Sequence, residues 1–301
     1  MLSRRQKYFL LKVFSLFSVV RGYNILILIL AQYLTSIYIL APDWPLRKVL
    51  FDPNLLMLVL ASSAAIAGGY IINSFYDREK DLINRPHKTM LDRIVSQRTK
   101  LTGYFILNFI SVVLASYVSF RAVLFFSLYI FAIWFYSHKL KKYPFVGNMT
   151  AAVLTVIPFF AVFIYYKNFA LVIFVHATFL FLVISMRELI KDLENIKGDF
   201  AQNYRTIPVV YGEKVSKQML TILAILTLVP IYFLLTRFDI GYMFLYFLGS
   251  VIALVMFLVF LWLSAKKLHY IVLHTILRLV IVIGVFSIVL IDVDLLLNRI
   301  I

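Results

Sequence analysis

The chain of 301 residues contains no cysteine, which excludes disulfides, thiolate metal sites and a cysteine nucleophile. Charge is scarce: Asp, Glu, Lys and Arg make up 15% of the residues, against about 25% in ordinary soluble domains. Acid is scarcer still, with 14 Asp and Glu against 30 Lys and Arg. No glycine-rich phosphate loop occurs, and the pair in "AGGY" at 67–70 reads instead as a close helix contact. The basic start "MLSRRQK" leads into an apolar segment without a small-residue cleavage site, so it is predicted to anchor a first helix rather than to be removed.

What the chain has instead is hydrophobic residues, 63% of the total. A helix needs roughly 20 apolar residues to cross the hydrocarbon core. Nine segments qualify: 18–40, 54–76, 102–121, 122–138, 146–166, 169–190, 218–237, 240–263 and 269–291, the third and fourth joined tightly near Arg121. With the amino terminus in the cytoplasm, the inner segments hold twenty-two Lys and Arg and the outer ones six: Arg47, Lys48, Arg121, Lys167, Arg237 and Arg299. That asymmetry follows the positive-inside rule. The prediction is an all-α, polytopic membrane bundle of nine transmembrane helices, amino terminus cytoplasmic, forming one domain over 1–301. Basicity is thereby explained by topology, and nucleic acid is not an expected partner.

The few acids are unevenly placed. Asn73, Asp77 and Asp81 close the second span at intervals of four, and Asp192, Asn195 and Asp199 close the sixth at i, i+3 and i+7, so each set shares one helical face. Both sets emerge on the cytoplasmic side, each followed by an Arg- and Pro-containing loop, "NRP" at 84–86 and "YRTIP" at 204–208. Eight of the 14 acids (Asp77, Glu79, Asp81, Glu188, Asp192, Glu194, Asp199 and Glu213) lie in or beside these segments. Acid at a helix carboxyl end is disfavoured by the macrodipole by about 0.3–1 kcal/mol, so something should compensate. Mg²⁺, with Mn²⁺ as the alternative, does so through oxygen ligands and substrate phosphates. Two facing clusters holding such ions would clamp a diphosphate, with Arg78, Arg85, Lys88, Arg187, Lys191 and Arg205 near its remaining oxygens.

These residues resemble the UbiA superfamily of intramembrane prenyltransferases. The family motif NDxxDxxxD is similar to Asn73 through Asp81, and its DxxDxxxD to Asp192 through Asp199. "DLINRPHK", "YSHKLKKYPFVGN" at 136–148 and "RGYN" at 21–24 look like further family stretches. Within the superfamily, "RELIKDLENIKGD" with "YRTIPVVYG" looks most like the geranylgeranylglycerol-phosphate geranylgeranyltransferases. Two positions depart from the pattern: Ser74 and Asn195 stand where the motifs carry Asp, and each loses a carboxylate. Asn195 retains an amide oxygen for coordination.

The resemblance implies transfer of an isoprenoid chain from an allylic prenyl diphosphate to an acceptor. That acceptor is expected to be a glyceryl lipid phosphate, with an aromatic quinone precursor as the alternative. Asn73, Asp77, Asp81, Asp192, Asn195 and Asp199 would bind metal, the four aspartates acting in catalysis. Arg85, Lys88, Lys191 and Arg205 would meet diphosphate; Tyr136, Lys139 and Lys141 would border the acceptor; Arg21 and Asn24 would line the cavity. His274 and Arg278, at i and i+4, are costly in lipid and are expected to pair inside the bundle. A transporter is the alternative from another class, and a lipid-binding protein a third. A transporter predicts acids deep in broken helices, whereas here they gather at one face. The CDP-alcohol phosphatidyltransferase signature DGxxAR is missing. The location expected is the inner (cytoplasmic) membrane of a bacterial or archaeal cell, with the site facing the cytoplasm.

Overall fold

The computed structural model describes residues 4–92 and 94–293, and no strand occurs among them. The helices are, in order, α1 (Arg4–Val19), α2 (Gly22–Thr35, continued by a π-helical turn at Ser36–Leu40), α3 (Leu46–Leu50), α4 (Pro53–Tyr76), α5 (Arg78–Asn84), α6 (Pro86–Asp92) and α7 (Gln97–Val118). They continue as α8 (Phe120–His138), α9 (Val146–Tyr166), α10 (Leu171–Ala201), α11 (Ile207–Arg237), α12 (Phe244–Leu263) and α13 (Lys267–Ser287). Nine helical segments among the described residues are long and apolar enough to cross a membrane. They follow the predicted spans, with differences at polar ends: α7 begins at Gln97, α11 at Ile207, and α10 runs on to Ala201. The helical hydrogen-bond ladder does not stop where lipid stops, so a polar turn continues a helix that hydropathy alone would end.

The connection near Arg121 is a single residue, Ser119, whose Oγ accepts from the Ala122 amide and caps α8. Asp52 caps α4 in the same way, accepting from the Asn54 and Leu55 amides and from the Tyr165 hydroxyl at 2.7 Å. Helix α4 is lined with small buried residues (Ala61, Ser62, Ala64, Ala65 and Gly68) that let α7 approach closely. A Cβ on Gly68 would meet Asn108 Oδ1 at 2.8 Å, and one on Gly69 would meet Ile133 Cγ2 at 2.9 Å. "AGGY" is therefore a packing element. Ser111 on α7 donates to the Ala61 carbonyl at 2.8 Å, a bond between helices inside the apolar interior.

Pro158 lies inside α9 and cannot bond the carbonyl four residues back. That carbonyl, Leu154, accepts instead from the Tyr129 hydroxyl at 2.9 Å, while Gln32 Nε2 donates to the Pro158 carbonyl at 3.0 Å. With no water in the membrane interior, such substitutes keep a proline tolerable. The buried apolar side chains form a large cluster over α10, α11, α12 and α13 and a smaller one among α4, α7, α8 and α9. Helix α10 stands between the halves, packing on α5, α9, α11 and α13.

Candidate active site

Asp77 sits at the break between α4 and α5 (φ −89, ψ 5), yet the i to i−4 bonds run on through it. The Asp77 amide bonds Asn73, the Asp81 amide bonds Asp77, and the Arg85 amide bonds Asp81, at 2.9, 2.8 and 2.8 Å. Asn73, Asp77 and Asp81 thus keep a common face across a helix change. The expectation that the acids stand at helix carboxyl ends is corrected here. Asp81 lies in the first turn of α5, where the macrodipole favours anions. Asp192 and Asn195 lie inside α10, and only Asp199 is in its last turn.

The two acidic segments face each other. Lys80 Nζ is 3.4 Å from Asp77 Oδ1 and 3.3 Å from Asp199 Oδ1. Lys141, in the turn after α8, donates to Asp77 Oδ1 at 2.8 Å and to Asn73 Oδ1 at 3.2 Å. Tyr204 donates to the same Asp77 oxygen at 3.2 Å, and Thr206 to Asp199 Oδ2 at 3.3 Å. Asn148, near the start of α9, donates to Asp192 Oδ2 at 2.8 Å. Burial works against ionisation of Asp77, but the Lys141 and Lys80 ammonium groups outweigh it and hold the carboxyl well below the usual carboxylate range. Asp81 moves the other way: burial and the neighbouring Asp77 push it up. Lys80, although buried, is held protonated by Asp77 and Asp199. Burial and then Asp77 raise the Tyr204 phenol.

Local backbone explains the positions. Gly198 faces Asn84 so closely that a Cβ there would lie 2.3 Å from Asn84 Nδ2, and the Gly198 amide donates to Asn84 Oδ1 at 3.1 Å. This contact sets the spacing of α5 and α10. Phe145 takes a strained backbone (φ 57, ψ −56), and Gly147 lies against the Leu140 and Lys141 carbonyls. Together they bring Asn148 beside the Lys141 turn. Arg21 is left-handed (φ 50, ψ 53) between α1 and α2, its guanidinium 5.0 Å from the centre of the Tyr70 ring, and Asn24 donates to the Tyr70 hydroxyl at 3.2 Å.

Other basic residues are placed differently from the sequence expectation. Arg85 pairs with Glu194 at 2.9 Å, and Lys191 pairs with Glu188, which Arg187 also meets at 3.0 Å. These three are engaged by α10's own acids rather than standing free. Lys139 and Arg205 are exposed, Tyr136 is half-buried, and the Lys88 side chain lies outside the described residues. His274 and Arg278 do not pair with each other. His274 Nδ1 lies 3.0 Å from Glu194 Oε2, and Arg278 stacks 4.7 Å over the Tyr23 ring, because the neighbouring helices offer better partners than their own. Lys80, Asn84, Asn148, Gly198, Tyr204 and Thr206 were not singled out in the sequence. Lys80 carries a signal there as a cation at i+3 from Asp77 inside an acidic motif, and the other five lie within the family-like stretches quoted above.

Among the described residues no three acidic or His side chains form a cluster ready for a metal. The oxygen donors nevertheless suit a hard cation. Asn195 Oδ1 is buried with no hydrogen-bond donor, and Asp199 Oδ1 has only the ion-pair contact of Lys80. A buried acceptor without a donor is destabilising by about 1–3 kcal/mol, which a bound cation would relieve.

Comparison with known proteins places this arrangement. The digeranylgeranylglyceryl phosphate synthase of Thermococcus gammatolerans is 34% identical over 162 residues, 53% of this chain and 58% of that protein. The enzyme of the same name from Methanobrevibacter smithii is 29% identical over 75% of this chain and 80% of its own length. In the first of these pairings the chain spans under two thirds of its relative. A solved UbiA homologue from Archaeoglobus fulgidus, bound to GPP and Mg²⁺, has the same fold: TM-score 0.67, 13% identity, 91% of this chain and 99% of that one. The model of the UbiA prenyltransferase family matches residues 29–271. Because that match runs through both acidic segments and the helices that hold them together, the chain belongs to the UbiA prenyltransferase family.

Proposed function

We propose that the protein transfers a geranylgeranyl chain from its allylic diphosphate to a glyceryl lipid phosphate, geranylgeranylglyceryl phosphate, inside the membrane. The observation that carries the site assignment is the meeting of the two acidic segments at Lys80, 3.4 Å from Asp77 and 3.3 Å from Asp199. The names of the relatives support the acceptor class. The charge asymmetry of the loops supports an amino terminus and a site on the cytoplasmic side of the cell's inner membrane.

Asp192 and Asn195, at i and i+3 on α10, would hold a divalent ion, Mg²⁺ or Mn²⁺; when bound, it would supply positive charge beside the departing diphosphate. The chain's own groups do the rest. Lys141 and Lys80 are fixed ammonium groups whose positions are set by Asp77, Asn73 and Asp199, so they need no reorganisation as negative charge grows on the leaving group. Asn148 orients the Asp192 carboxylate. The Tyr204 ring covers Lys80, its centre 4.4 Å from Nζ, and would help keep water from the allylic carbon as it gains positive character. The carbon–oxygen bond to diphosphate breaks with its electron pair leaving on the diphosphate. The acceptor hydroxyl oxygen then supplies the pair for the new ether bond, and its proton passes to the departed diphosphate.

Membranes carrying the protein are expected to release diphosphate from geranylgeranyl diphosphate only with Mg²⁺ and a glyceryl phosphate acceptor, tested beside an aromatic quinone precursor. Asp77→Asn and Asp192→Asn should each lower the rate by roughly a hundredfold or more. Full activity in both variants would remove the site assignment, and preference for the aromatic acceptor would change the substrate class.

A further inference from the structure

The centre of the site already contains cations that belong to the chain. Lys80 lies between Asp77 and Asp199, its side chain 15% exposed, while Asp199 is 1% exposed and Lys141 5%. Each contact is reinforced: Tyr204 bonds Asp77, Thr206 bonds Asp199, and the Tyr204 ring covers the Lys80 ammonium. Lys80 is therefore seated as an ion is seated, with oxygen on two sides and an aromatic face on a third.

The carboxylates of the two segments are partly taken up by the chain itself. Asp77 and Asp199, one from each segment, share Lys80, and Asp77 also meets Lys141. Fewer free oxygens remain than one metal site at each segment would need. The carboxylates missing at Ser74 and Asn195 lower the acid count in the same direction. The donors not engaged by lysine are Asp81, Asp192 and the Asn195 Oδ1 atom, buried at 8% exposure without a hydrogen-bond donor.

We propose that Lys80 is a chain-borne cation occupying the bridge between the acidic segments, so that this protein takes a single divalent ion, on the Asp192–Asn195 side, where two would otherwise be expected. This rests on the prenyl-transfer reading of the site. Lys80 stays in place through the reaction cycle and need not be reloaded after each diphosphate leaves.

The test counts metal rather than turnover. Purified full-length protein in lipid nanodiscs is titrated with Mn²⁺ in the presence of geranylgeranyl thiodiphosphate, a non-transferring donor, and free Mn²⁺ is read by electron paramagnetic resonance. The wild type should bind one Mn²⁺ per chain, Lys80→Arg also one, and Lys80→Met and Lys80→Gln two. Binding of the first ion should tighten by roughly tenfold or more once the like charge is gone. Two ions in the wild type overturn the proposal and leave the prenyl-transfer reading standing. An unchanged count in folded Lys80→Met and Lys80→Gln also overturns it, and if neither variant folds, the wild-type count decides. Thiodiphosphate bound without any Mn²⁺ overturns the metal-dependent reading as well.

Discussion

Replacing Gly198 by Ala tests whether the spacing of α5 and α10 sets the site geometry. The added methyl would lie 2.3 Å from Asn84 Nδ2 and 2.6 Å from its Cγ, so Asn84, itself buried, must move. Overpacking of this kind is destabilising by about 1–3 kcal/mol, and loss of the Gly198 to Asn84 hydrogen bond adds about 0.5–1.5 kcal/mol. Alanine's helix preference offsets about 0.8–1.0 kcal/mol. The net loss is about 1–3 kcal/mol, or a melting temperature lower by several degrees at about 2–4 °C per kcal/mol. Activity should suffer more than stability. Asn84 is one turn beyond Asp81 and Lys80, and the Lys80 bridge spans only 3.3 and 3.4 Å on its two sides. A displacement near 1 Å there should lower kcat by about a hundredfold. Thermal unfolding by tryptophan fluorescence and radiolabelled prenyl transfer read the two effects separately. Adding Asn84→Ala to Gly198→Ala removes the clash and should restore part of the activity, a non-additivity expected only of neighbours. A Gly198→Ala protein as stable and as fast as the wild type would refute the reasoning.

Further outcomes follow from the same contacts. Lys141→Met, which removes one cation from Asp77, should lower kcat by about a hundredfold and shift KM less, in steady-state assays with geranylgeranyl diphosphate. Asp77, whose carboxyl is held below the usual range, contributes stability that is full above its unfolded value of about 4 and is lost as pH falls through the lower folded value. The melting temperature should therefore drop in acid, and Asp77→Asn should flatten that dependence. Asp81, raised instead by burial and by Asp77, contributes with the opposite sign, so in Asp81→Asn the melting temperature should fall more steeply in acid than in the wild type. Asp52→Ala, at the far end of α4, removes an N-cap and the Tyr165 contact; it should lower stability by about 1–2 kcal/mol with kcat unchanged. Because cysteine is absent, Ser96→Cys and Asp43→Cys give single labels, and an impermeant maleimide should reach only Asp43→Cys from outside intact cells.

Much of this was legible in sequence because lipid enforces a simple rule: apolar runs of sufficient length must be helices. The spans were placed closely, and the errors at Gln97, Ile207 and Ala201 fall where helices leave that constraint. The stretch at 84–86 read as a loop but holds the end of α5 and the start of α6, with Pro86 opening the second helix, a position proline favours. The acidic residues were visible through spacing. Their partners were not, because Tyr204, Thr206 and Asn148 reach them only after α9 and α10 pack against α4 and α5. Arg85 and Lys191 looked like anion binders because a sequence does not show that Glu194 and Glu188 point at them. Lys80 is the instructive case: one more Lys in a basic segment, it becomes meaningful only when Asp199 is seen on its other side.

Helix α10 is 31 residues long, roughly 46 Å at 1.5 Å per residue, against a hydrocarbon thickness of about 30 Å. Its surplus turns carry Asp192, Asn195 and Asp199 up to the height of the phospholipid headgroups. The two amphiphiles of the proposed reaction, floating in one leaflet, would present their phosphate ends at that same altitude with their tails still dissolved in oil. In the proposed reaction neither would have to be lifted into water, and the ether product would drift sideways into the bilayer it helps to build.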